Sequence, residues 1–65
     1  MCKLAEILRR RTDNLKSTIT RTKTELRKAY SDQSYHRVVE MERQLSIQEN
    51  NLIAYETALS EAKLI

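Results

Sequence analysis

Apolar residues recur at two different periods along this 65-residue chain. In the first half they stand at Leu4, Leu8, Leu15, Ile19, Leu26 and Tyr30, spaced 4, 7, 4, 7 and 4 apart, which is an eleven-residue repeat. At about 100° per residue the six share one narrow helical stripe. In the second half Val38, Leu45, Leu52 and Leu59 recur every seven residues, with Met41, Gln48, Tyr55 and Ala62 three residues after each. That is the a/d pattern of a helix packed lengthwise against another, with Gln48 as one polar d position. Thr18, Thr20, Thr22 and Thr24 alternate as a strand would, but Ile19, Arg21 and Lys23 between them leave no apolar face. Each threonine lowers helix propensity by less than about 0.7 kcal/mol, so the pattern predicts helix here too.

Ser31-Asp32-Gln33-Ser34 is the cluster that interrupts both periods, and Asp32 or Ser34 is placed to cap a second helix. The chain has no Gly and no Pro, which removes hairpin-rich β folds and glycine-built phosphate loops. The expectation is an all-α chain: helix 1 about 3–29, a turn about 30–34 and helix 2 about 35–63, folded as an antiparallel two-helix coiled-coil hairpin. The alternative is one continuous helix of about 95 Å, from 1.5 Å per residue.

Charge favours the hairpin. Residues 1–30 hold nine basic and three acidic side chains (+6), and residues 31–65 hold three basic and six acidic ones (−3), which together give the formal +3. Arg9, Lys16 and Lys23 flank the first stripe, while Glu42, Glu49 and Glu56 flank the second. Antiparallel pairing of Arg9 with Glu56, Lys16 with Glu49 and Lys23 with Glu42 gives numbers that total 65 each time, centred on Asp32–Gln33. Leu8 with Leu59, Leu15 with Leu52 and Leu26 with Met41 total 67. Exposed ion pairs contribute only about 0–1 kcal/mol each, so their role is to choose register.

Helix 2 is apolar on more than one side. Beyond its seam it presents Tyr35, Val39, Ile53 and Leu64, with Ile47, Ala54, Ala58 and Ile65 further round, whereas helix 1 has only Ile7 outside its stripe. Unburied apolar faces mark interfaces. A 65-residue hairpin buries little of its own surface, so the expected solution is a homodimer forming a four-helix bundle, with helix 2 central. Tyr35, Val39, Ile47 and Ile53 are the candidate protein-interface residues.

Chemistry has few footholds. His36 is the single histidine and stands beside the turn; Cys2 is the single cysteine, so no internal disulfide or cysteine zinc site can form. No Glu-x-x-His spacing suggests a carboxylate metal centre. No catalytic, cofactor-binding or metal-binding residue is expected, and the chain reads as a non-enzyme. It has no apolar run near the roughly 20 residues of a membrane span and no secretory signal, which points to the cytoplasm. Lys3, Arg10, Arg21 and Lys28 form a second, basic stripe on helix 1, with Ser17 and Thr24 nearby as hydrogen-bond donors. The leading expectation is a small regulator or inhibitor, of the kind phages and plasmids encode, that binds another protein through helical faces, with the basic stripe steering an acidic partner. The alternative is RNA or DNA binding through Lys3, Arg10, Arg21 and Lys28.

Overall fold

The computed structural model describes residues 3–64, with side chains described as far as Ala62. The Cys2 thiol and the outward apolar roles expected of Leu64 and Ile65 lie outside the described residues. Two helices, α1 (Lys3–Ser31) and α2 (Tyr35–Leu64), lie against each other in a hairpin measuring 49 × 14 × 10 Å. The chain therefore turns back on itself, and the single long rod is excluded.

The turn is built without glycine. The Gln33 N–H donates to the Tyr30 carbonyl at 3.0 Å and the Ser34 N–H to the Ala29 carbonyl at 2.9 Å. Gln33 takes the left-handed conformation, φ 57°. This is a Schellman stop, which satisfies the last carbonyls of α1 by reversing the chain at one residue. Ser34 then opens α2, its carbonyl accepting from the Val38 N–H at 3.0 Å. Because the stop motif reads back onto Ala29 and Tyr30, α1 runs two residues beyond the expected 29.

Burial corrects the first-half pattern. Along α1 the covered or half-covered positions include Ala5, Leu8, Thr12, Leu15, Ile19, Thr22, Leu26 and Ala29, alternating three and four apart. This is a heptad, not an eleven-residue repeat. Leu4 and Tyr30, assigned to the stripe by the apolar spacing, are both more than half exposed. Thr12, only 3% exposed, and Thr22 take seam places that apolarity alone passes over. They can do so because each hydroxyl donates to the carbonyl four residues back, Thr12 to Leu8 at 2.7 Å and Thr22 to Thr18 at 3.1 Å. The same internal bond is made by Thr18, Thr20 and Thr24. The alternating threonines are thus accommodated in helix with their hydroxyl protons already used.

The α2 seam follows the expected register: Val38, Met41, Leu45, Gln48, Leu52, Tyr55, Leu59 and Ala62 are all buried or half-buried. Matching the two heptads antiparallel gives eight layers from Ala5/Ala62 to Ala29/Val38, each pair of numbers totalling 67. The apolar register read from Leu8/Leu59, Leu15/Leu52 and Leu26/Met41 is this one. The covered side chains are Thr12, Ile19, Thr22, Ala29, Val38, Met41 and Ala62, and all six seam leucines are only half-buried. One polar atom in the seam, Gln48 Oε1, is buried with no hydrogen-bond partner.

Candidate interaction surfaces

With both heptads fixed, every exposed residue has a place around its helix. On α1 the positions directly flanking the seam are Arg9, Lys16, Lys23 and Tyr30 on one side and Leu4, Arg11, Thr18 and Glu25 on the other. On α2 the corresponding rows are Tyr35, Glu42, Glu49 and Glu56, and Arg37, Gln44, Asn51 and Ala58. The acidic row of α2 lies beside the basic row of α1, as expected, but one heptad away from the pairing expected. Lys16 Nζ meets Glu56 at 3.7 Å, not Glu49, and Tyr30 donates to Glu42 Oε2 at 2.9 Å. These pairs total 72 rather than 65. The buried seam fixes register at 67, and the flanking side chains then lean to the neighbour within reach along that register. The hydrogen bond from Tyr30 to Glu42, reinforced by the carboxylate charge, raises the phenol pKa above its ordinary 10.0.

Lys16–Glu56 is the one ion pair among the described residues. Most of the α1 cations are therefore not consumed by α2, contrary to what the 65 register implies. An open groove beside this pair is lined by Arg9, Asp13, Lys16, Glu56 and Ser60.

The candidate interface residues are all exposed: Tyr35, Val39, Ile47 and Ile53, the last at 62%. They do not form one patch. Tyr35, Val39 and Ile53 lie on the side that carries the Lys16–Glu56 pair, whereas Ile47 lies round the outside, beyond Arg43, Asn50 and Thr57. On the Ile47 side the structure adds apolar residues that sequence reading left elsewhere. Leu4 and Ile7 of α1 are about half exposed and lie on the same side of the hairpin as Ala54 and Ala58 of α2. The signal for Leu4 was available: once Ala5 is counted as a seam position, Leu4 falls outside it.

Lys3, Arg10, Arg21 and Lys28 are exposed along the back of α1, away from α2. Arg10 shares its stretch with Glu6 and Asp13 around a second open groove. Thr24 does not serve as a donor to an outside group, since its hydroxyl donates to the Thr20 carbonyl at 3.1 Å. His36 is exposed beside the turn. Among the described residues no three His, Cys, Asp or Glu side chains stand close enough to hold a metal ion, and no helix is long and apolar enough to cross a membrane. No family model matches the chain, and neither the curated proteins nor the solved structures provide a match.

Proposed function

We propose that this chain is a non-enzymatic helical interaction module that self-associates through the outside of α2 and regulates or inhibits another protein by occupying its surface. The observation that carries the reading is the set Tyr35, Val39, Ile47 and Ile53, four large apolar side chains exposed along one helix of a two-helix protein. A compact protein of 7.7 kDa exposes about 4,300 Å², whereas the hairpin exposes 5218 Å², a surplus of about 900 Å². A stable dimer buries about 800 Å² per partner, so one further copy of this size absorbs the surplus. Two hairpins side by side make a four-helix bundle in which the half-buried seam leucines also gain cover. The single Cys2 fits a reducing, cytoplasmic setting.

Sedimentation equilibrium tests the self-association. The native chain is expected to show a concentration-dependent mass approaching twice 7.7 kDa. The triple variant Val39→Ser, Ile47→Ser, Ile53→Ser is expected to remain monomeric with its helicity retained. A native chain that stays monomeric at high micromolar concentration overturns the proposal.

A further inference from the structure

The outside of α1 has a composition opposite to that of α2. Between Arg9 and Lys28 its exposed residues are cations, hydroxyls, amides and two acids, Asp13 and Glu25, and every exposed large apolar residue of the molecule lies elsewhere. Within 16–28 there are five cations, Lys16, Arg21, Lys23, Arg27 and Lys28, against the single acid Glu25. Only Lys16 is ion-paired.

Position around the helix is informative. Lys23 and Arg27 lie towards the side of the Lys16–Glu56 pair, and Arg21 and Lys28 lie towards the opposite side. Between these two rows runs a strip of short polar residues, Ser17 and Thr24. An α-helix with its side chains is about 10–12 Å across, and the major groove of a nucleic-acid duplex is about 12 Å wide with phosphates along both walls. A helix with cations on both flanks and short side chains between them matches that groove. A protein partner is less well matched, because protein interfaces centre on apolar or aromatic anchors and this face has none. No aromatic residue lies between positions 9 and 28, so bases of a single strand find nothing to stack on.

We infer that α1, over residues 16–28, seats in the major groove of double-stranded DNA and contacts phosphates on both walls through Arg21 and Lys28 on one side and Lys23 and Arg27 on the other. The contact is to the backbone, so it is independent of base sequence. It uses α1 only and stands independently of the α2 self-association.

Fluorescence anisotropy with a labelled 20-base-pair DNA duplex tests it, with salt varied from 50 to 200 mM. Four phosphate contacts give a slope of log affinity on log salt of about −3.6, a loss of about 150-fold across that range. Arg21→Gln with Lys28→Gln, and separately Lys23→Gln with Arg27→Gln, are each expected to halve the slope, leaving about a 12-fold loss. Glutamine is a good helix former, and circular dichroism checks that helicity is kept. Arg43→Gln, on α2, is expected to leave binding unchanged. Absence of binding at 50 mM salt overturns the inference, as does an unchanged slope in both double variants. A response in only one of the double variants overturns the two-walled seat. Equal affinity for a single strand, or for polyglutamate of matched charge, overturns duplex recognition in favour of a general acidic partner.

Discussion

Helix α1 is sharply amphipathic, whereas α2 is apolar on more than one side, although they share one seam and are nearly equal in length. The difference lies in where each helix puts its apolar residues. The α1 seam is completed by Thr12 and Thr22, which cost nothing in unmet hydrogen bonds because their own turn accepts the proton. Between Arg9 and Lys28 its outside is left to charged and short polar residues. The α2 seam is richer in large side chains and still leaves Tyr35, Val39, Ile47 and Ile53 in water. A helix that needs only to complete a hairpin has no use for a second apolar side. This contrast supports the two proposals made above, self-association through α2 and a polyanion contact through α1.

The sharpest way to break this contrast is to make the same deletion on both sides of it. Ile19→Ala removes a side chain that is 6% exposed in the α1 seam and is expected to cost about 2–4 kcal/mol. In so small a chain that is enough to abolish cooperative thermal unfolding above room temperature. Ile53→Ala on the outside of α2 is expected to change monomer stability by less than about 0.5 kcal/mol. Circular dichroism melts at concentrations where the chain is monomeric read both, and equal effects would dissolve the distinction between seam and outside.

The two helices also differ in how they bury polarity, and the next largest effect tests that. Gln48→Leu removes the unpartnered Oε1 and is expected to stabilise by about 1–2 kcal/mol. That corresponds to a rise in Tm of about 4–8 °C per kcal/mol. Thr22→Val, whose hydroxyl is already satisfied, is expected to shift stability by less than about 0.5 kcal/mol. If the two changes prove alike, the hydrogen-bond distinction between the seams is wrong.

At the boundary between the helices, Gln33→Gly places a residue that tolerates positive φ where a glutamine now sits at 57°. The relief of left-handed strain is partly offset by a floppier unfolded chain, leaving an expected gain of about 0.5–1 kcal/mol in chemical denaturation. A loss would mean the turn is not the Schellman stop described above.

The smallest effect concerns the Tyr30–Glu42 link between α1 and α2. The phenol pKa is raised in the folded chain, so the link contributes stability below the ordinary pKa of 10.0 and loses it as pH rises through the raised value. Tyr30→Phe is expected to lower the neutral-pH Tm slightly and to flatten the fall above pH 10, where the native chain loses the link itself. An alkaline profile identical to that of the native chain would assign the fall to other groups.

Much of this fold is legible in the residues themselves. The heptads of α2, the break at 31–34 and the apolar register of the hairpin follow from spacing, because a seam seven residues in period must face a partner along its whole length. The α1 seam was only half legible. Leucine and isoleucine positions show the stripe, but Thr12, Thr22 and the alanines hold seam places through internal hydrogen bonds and small size, which an apolar count does not register. As for the candidate surfaces, sequence identified the exposed residues Tyr35, Val39, Ile47 and Ile53 and the basic row. It also set Ile47 further round than Tyr35, Val39 and Ile53, but it left Leu4 inside the α1 stripe, since at 100° per residue a supercoil's drift is invisible until the seam is fixed.

What the sequence determined by itself, then, is that there are two helices, where they part, and that charge is unequal between them. All three depend on local propensity and periodicity, which each segment carries alone. What only the tertiary structure decided is which residues of the two facing rows meet. Lys16 reaches Glu56 and leaves Arg21, Lys23, Arg27 and Lys28 unpaired, because buried layers, not surface charges, set the register. Packing excludes water along the whole seam, whereas each exposed ion pair contributes at most about 1 kcal/mol, so the charges settle wherever the core places them.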